Sequence, residues 1–302
     1  MSPESRETGG LNKLSHRRAL IRLLDRPGGR FLLGKIATKF LQRMSGPGVE
    51  IAYVGGLWTR RVGTDYFPDG LRFEYSYADF DAWKRQAEIY ASDTRDYWFQ
   101  HYGPHEGDVI IDVGAGRGED TLTFSRAVGN TGRVIAIEAH PLSFAILKEF
   151  CRLNRLANVR PLKLALMDRP GTVRLAESDT SWVENAVVSD EVSSGIQVRA
   201  GTLNEICEEH GLGEIAFLKM NIEGAERQAL LGMEAVMPRV RQICVACHDF
   251  RSELGHGEQF RTRAFVEGFL ACHGFTLVSR PNDPRDFVRD HVFGLRKPLA
   301  GR

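Results

Sequence analysis

The chain has 302 residues, 42% of them hydrophobic, and a formal net charge of +1. That suits one large domain, or one domain with an extension, and gives no overall reason to expect a nucleic-acid partner. No apolar run approaches the roughly 18 residues of a membrane span, Met1 to Gly10 lack the apolar stretch of a signal peptide, and the five cysteines read as free thiols in a reducing cytoplasm.

Residues 1–10 show no periodicity. From Leu11 to Arg26, Leu14, Ile21 and Leu24 share one helical face; Pro27-Gly28-Gly29 interrupts it. Phe31 to Met44 resumes, with Leu33, Ile36, Phe40 and Met44 as a stripe and Arg30, Lys35, Lys39 and Arg43 beside it. Asp25 is the only acid between Leu11 and Arg43. Two readings fit this basic amphipathic pair over residues 11–44: a helical cap with solvated cations, or a peripheral contact with an anionic membrane or a nucleic acid. Glu50 to Val54 and Leu57 to Val62, joined at Gly55-Gly56, predict a hairpin, and Leu71 to Tyr75 a further strand. Asp79 to Tyr90 and Asp93 to His101 predict two short helices whose aromatics suit a core. The expected divisions are a 1–45 helical extension, a 46–107 lead-in and a 108–302 catalytic domain.

Beyond Asp108, strands and helices alternate, which predicts a doubly wound, mostly parallel α/β sheet. The strands are expected over Val109 to Val113, Arg133 to Glu138, Val159 to Leu166, Ile215 to Asn221 and Gln242 to Cys247, with a late pair over Phe275 to Ser279 and His291 to Leu295. Thr172 to Leu175 and Ile196 to Arg199 predict short extra strands around a polar stretch, Glu177 to Ser194, long enough to suggest a substrate loop. Thr202 and Glu205 have capping-box spacing. A helix is expected from Gly224 to Val236.

The first of these strands carries the strongest signal. Asp112 is followed by Gly114, Ala115, Gly116 and Gly118, and the next strand ends in Glu138, twenty positions after Gly118 (138 − 118 = 20). Glycines let backbone bend against a ligand, and a carboxylate at the second strand tip can accept both hydroxyls of a ribose. A nucleoside-containing cofactor follows. A dinucleotide site wants its third Gly one step later, where Glu119 stands; an acid there would repel a pyrophosphate and suits the cationic S-adenosylmethionine better. Expected cofactor residues are therefore Asp112, Gly114, Ala115, Gly116, Gly118, Glu138 and Ala139, with the adenine near Met167 and Asp168 at the third strand.

The fourth and fifth strands are left for the acceptor. His248 is the leading general base, because an ordinary imidazole titrates near neutrality, with Glu223 second. Asn221 and Glu223 could instead hold a divalent cation such as Mg2+. Lys219 shares a strand face with Asn221 and is placed to pair a carboxylate. Cys244-Val245-Ala246-Cys247-His248 spells a haem-attachment pattern, but it completes an apolar strand and is set aside.

Two stretches together resemble the FkbM family of S-adenosylmethionine-dependent methyltransferases. One is residues 111–116 with Glu138-Ala139-His140-Pro141; the other is Lys219-Met220-Asn221-Ile222-Glu223-Gly224-Ala225-Glu226, similar to the family's K-x-D-x-E-G-x-E. The resemblance covers about residues 90–295 and departs at Asn221, where the family has Asp, at Arg117, and before His248. It implies the class I seven-stranded sheet and methyl transfer to hydroxyls of sugars or natural products. The other readings are an NAD(P)-dependent oxidoreductase, and a degenerate, non-catalytic member that binds a membrane or partner through its N-terminus.

Overall fold

A computed structural model of the chain describes residues 19–73, 83–175, 187–188 and 195–296. The chain divides into two compact units, Met1–Ile89 and Tyr90–Arg302. No described helix is long and apolar enough to cross a membrane.

In the first unit, residues 19–24 are helical and a second helix runs over Arg30–Ser45. Strands Val49–Val54 (β1), Leu57–Val62 (β2) and Asp65–Gly70 (β3) form an antiparallel sheet in that order. The expected hairpin is present. The strand expected from Leu71 lies earlier, as β3, and residues 74–75 are outside the described chain. The basic helix is not a separate extension: Leu33, Ala37 and Leu41 share a core with Val49, Ile51 and the fully buried Trp58. Gly34 permits this approach, because a Cβ there would stand 2.9 Å from the Ile51 carbonyl oxygen. Asp25, the lone acid, accepts from Trp58 Nε1 at 2.9 Å, Arg30 Nε at 3.1 Å and the Phe73 amide at 2.9 Å.

Where two short helices are expected, residues 79–82 lie outside the described chain, residues 83–84 are helical and a helix runs over Gln86–Tyr97. Its following aromatics are core, as expected: Trp98 and Tyr102 pack with Phe124 and Phe217. The main strands are Val109–Val113 (β4), Arg133–Glu138 (β5), Val159–Lys163 (β6), Ile215–Met220 (β11), Val240–Ala246 (β12), Thr276–Ser279 (β13) and His291–Leu295 (β14). They form one seven-stranded sheet in the order β13-β14-β12-β11-β4-β5-β6. β14 is antiparallel to both its neighbours, and the pairings from β12 to β6 are parallel. This is the expected doubly wound class I architecture. The chain order reverses between β4 and β11, which opens a crevice at the carboxyl ends of those strands.

The third strand is shorter than expected. The chain leaves the main sheet at Leu164, and Ala165–Leu166 (β7) joins a second sheet with Gly171–Leu175 (β8), Val187–Val188 (β9) and Ile196–Gly201 (β10), in the order β7-β10-β8-β9. Most of the polar stretch from Glu177 lies outside the described residues. Thr202 and Glu205 form the capping box, each side chain bonding the other's backbone N–H at 3.2 and 3.0 Å. The helix expected from Gly224 to Val236 is confined to Glu226–Leu231. Left-handed backbone at Glu223 (φ 51°) and Gly224 (φ 98°) delays its start.

Candidate active site

A cleft of about 260 Å³ opens at the reversal between β4 and β11. Its walls come from the turn after β4 (Gly114 to Gly116), the tip of β5 (Glu138 to His140), residues 164–166 and Leu175, and the end of β11 (Lys219, Asn221 to Glu223).

The turn after β4 is fixed by a close crossing. Gly114 has φ +75°, and a Cβ on it would lie 1.9 Å from the Asn221 carbonyl oxygen. The Asn221 amide donates to the Val113 carbonyl at 3.0 Å, which locks the two strand ends together. Lys219 Nζ donates to the Gly114 carbonyl at 2.8 Å and meets Asp112 Oδ1 at 3.0 Å and Asp120 Oδ2 at 3.6 Å. Asp112 also accepts from Thr121 Oγ1 at 2.6 Å. Burial works against the Lys219 ammonium, but Asp112 and Asp120 outweigh it and hold its pKa above the ordinary lysine value. Lys219 therefore pairs a carboxylate, as its strand position suggested.

At the tip of β5, Glu138 is nearly buried. It accepts from the Gly116 amide at 2.9 Å and the His140 amide at 2.7 Å. Burial pushes its pKa up to about 7 despite those two donors. Each carboxylate oxygen retains further lone pairs for a hydroxyl.

The end of β11 holds a charged group. Glu223 Oε1 lies 3.2 Å from His248 Nε2, and its Oε2 accepts from Arg251 at 2.5 Å. His248 Nδ1 lies 3.0 Å from Oε1 of the fully buried Glu226. Burial alone would favour neutral imidazole, but the two glutamates raise the His248 pKa to about 10. For Glu223 the balance runs the other way: burial favours the acid, while His248 and Arg251 hold its pKa below the usual range. Glu223 is also one of two described non-glycine residues with positive φ, a conformation that costs about 1–2 kcal/mol and is retained where the surroundings impose it.

Several expectations need correction. His248 does not stand free near neutrality as a base; both ring nitrogens face carboxylates, so the ring is cationic and has no lone pair to offer. Asp112 does not face the cleft; it is wholly buried beneath it, on Lys219 and Thr121. Gly118 lines no part of the cleft, because its Cα faces Phe150, whose ring a Cβ would meet at 2.8 Å. Met167 packs in the core of the second sheet, and Asp168 is exposed. Residues 164–166 and Leu175 line the cleft there instead. The divalent-cation route gains no support: no group of three or more His, Cys, Asp or Glu among the described residues could hold a metal ion. Gly114, Ala115, Gly116, Glu138, Ala139, Asn221 and Glu223 all line the cleft. Cys244 and Cys247 are buried in and after β12, and burial pushes both thiols well up, far from haem or redox chemistry.

Sequence reasoning did not place Asp120, His140, Ser143 or Leu164 in the cleft. Asp120 and Ser143 stand in the first turns of helices that begin at strand tips, a position that could have marked them.

Residues 112–277 match the family described as Methyltransferase FkbM domain. The chain belongs to the FkbM methyltransferase family. This FkbM-family chain is 28% identical over 209 residues to the 31-O-demethyl-FK506 methyltransferase FkbM of Streptomyces tacrolimicus, covering 59% of this chain and 76% of that protein. Among solved structures it is similar to a methyltransferase FkbM from Methylobacillus flagellatus KT, at TM-score 0.44 and 15% identity, over 70% of this chain and 58% of that one. It is also similar to Aeropyrum pernix fibrillarin carrying natively bound S-adenosyl-L-methionine, at TM-score 0.43 and 13% identity, over 80% of this chain and 94% of that one. The family makes the chain an S-adenosylmethionine-dependent methyltransferase, and the dinucleotide alternative falls with it.

The residues present fit that cofactor. Gly114 and Gly116, both at positive φ, line the cleft without side chains, Glu138 stands on its wall with lone pairs left for hydroxyls, and Asn221 Oδ1 is buried there with no hydrogen-bond partner.

Proposed function

We propose that the chain methylates a hydroxyl of a sugar or natural-product acceptor, seated at Glu223. The carrying observation is the ionised Glu223 carboxylate on the cleft wall, braced by His248 and Arg251. Glu138 would hold the ribose of S-adenosylmethionine, Gly114 to Gly116 its amino-acid portion, and residues 164–166 with Leu175 the adenine side. When bound, the cofactor supplies a methyl group on a positive sulfur, an electrophile that arrives already activated.

The protein has two remaining tasks. It must align the acceptor oxygen for in-line attack, and it must receive the proton that oxygen releases. An alcohol oxygen becomes strongly acidic as it gains a methyl group, so a carboxylate held ionised suffices as acceptor. Glu223 fits that task better than a charged imidazole does. His248 is then a positioning residue, holding Glu223 against the cleft while Glu226 anchors it from behind. The name of the Streptomyces tacrolimicus relative, an O-demethyl substrate's methyltransferase, supports hydroxyl chemistry.

The test offers the purified enzyme S-adenosylmethionine with a panel of monosaccharides and hydroxylated polyketides, followed by mass spectrometry. A methyl-mass gain at a hydroxyl is expected. Glu223→Gln should lower turnover by about 10²–10⁴-fold and leave cofactor affinity unchanged. Methylation confined to amine acceptors, or full activity in Glu223→Gln, would overturn the reading.

A further inference from the structure

The Arg30–Ser45 helix carries two separate apolar faces. One is satisfied: Leu33, Ala37 and Leu41 are buried against β1 and β2. The other points outward. Leu32, Ile36 and Met44 recur at multiples of four residues and are 53%, 50% and 64% exposed. Residues four apart stack along one side of a helix. Beside this row runs a second row of the same spacing, Lys35, Lys39 and Arg43, all exposed. Phe31, 77% exposed, flanks the cations on their far side, with Lys35 Nζ 5.4 Å from its ring centre. The preceding helical turn repeats the pattern, with Leu20 and Leu23 55% and 57% exposed and Arg22 and Arg26 exposed.

We infer that this outward face lies on the surface of an anionic lipid bilayer. Water-facing helix surfaces are ordinarily polar, and rows of large apolar residues left in water mark an interaction site. The cations select the partner. Asp25, the only acid between residues 19 and 45, is turned inward on Trp58 and Arg30, so no acid of the described helix residues stands beside the positive row. An apolar row beside a cationic row lets side chains enter the acyl boundary while lysines and arginine meet the headgroups. A nucleic acid would use the cations and leave Leu32, Ile36 and Met44 in water. A second copy docked face to face would bring like charges together.

The test is sedimentation of the full chain with phosphatidylcholine vesicles, with and without phosphatidylglycerol. Binding is expected only to the anionic vesicles. Lys35→Gln/Lys39→Gln/Arg43→Gln should weaken it on the order of a hundredfold, since each cation near such a surface contributes about 1 kcal/mol. Leu32→Ser/Ile36→Ser/Met44→Ser should weaken binding that persists in high salt. Both triple variants alter exposed positions and should keep wild-type circular dichroism and S-adenosylmethionine affinity. Equal sedimentation with both vesicle types would overturn the inference. So would binding untouched in both variants, preferential binding to duplex RNA, or a solution dimer that only the serine variant dissociates.

Discussion

The Cα of Gly114 faces the carbonyl oxygen of Asn221 so closely that no side chain can stand between them; an added Cβ would sit 1.9 Å from that oxygen. The first strand's turn and the fourth strand's end therefore share one space. Gly114→Ala must displace one of them from a backbone already at φ +75°. A stability loss of about 3 kcal/mol or more is expected, with S-adenosylmethionine binding lost in calorimetry even where the protein remains folded.

Gly118 should behave differently. Its φ is +104° and its neighbours are Phe150 and Leu147, not the cleft. Gly118→Ala should cost about 2 kcal/mol in denaturant unfolding and leave the cofactor affinity of the folded protein within a few fold. A large affinity loss at wild-type stability would return Gly118 to the cofactor site.

Lys219 and Asp112 form a buried pair at 3.0 Å. Lys219→Met alone leaves carboxylates uncompensated in the interior and should cost about 3–5 kcal/mol. Adding Asp112→Asn should restore part of it, with a coupling of about 1.5 kcal/mol or more in a double-mutant cycle. Additive losses would show that the pair does not act as one unit.

Glu138 gives a pH dependence to cofactor binding. Burial puts its pKa at about 7, and the ionised form is the better acceptor for two ribose hydroxyls. Affinity should rise as pH rises through 7 and then level off, being roughly tenfold weaker one unit below that pKa. Glu138→Gln should bind weakly and show no such rise. The same slope in the variant would place the titrating group elsewhere.

His248 gives a pH dependence to stability, of opposite origin. Burial disfavours its charge, but Glu223 and Glu226 prevail and raise its pKa from 6.5 to about 10. A raised basic group stabilises fully below its unfolded value and loses that contribution as pH rises through its folded value. The melting-temperature advantage of the wild type over His248→Gln should be greatest near neutrality and below, and vanish approaching pH 10. A constant difference across that range would mean that the ring is neutral in the folded protein.

The glycine-turn side of the cleft could be read from the sequence because it rests on local signals. Gly114, Gly116 and Glu138 stand at strand tips, and strand tips follow from apolar runs. The Glu223 side rests on long-range contacts that spacing does not encode. Glu223 and Glu226 were visible as motif positions, but their capture of His248 depends on how β11 and β12 lie side by side. That capture converts the expected base into a cation. Met167 was misplaced for a related reason. The apolar run from Val159 to Leu166 reads as one strand, while the chain breaks at Leu164 and turns into another sheet, which no periodicity announces. The first unit shows the same limit: the expected stripe of Leu33, Ile36, Phe40 and Met44 divides, Leu33 being buried with Ala37 and Leu41 against Ile51 and Trp58 while the other three are exposed.

The break at Leu164 also separates two kinds of tolerance. β4 and β5 are gripped on both edges by parallel neighbours, so any slip in register there moves the whole sheet. β8 and β10 pair with each other as an antiparallel ribbon, in a sheet separate from the main one. Yet Leu175, at the ribbon's rim, lines the same cleft as Glu138. The cleft is thus closed by two sheets that keep their registers separately, and a change to the ribbon that moves Leu175 would reshape the pocket without shifting Glu138.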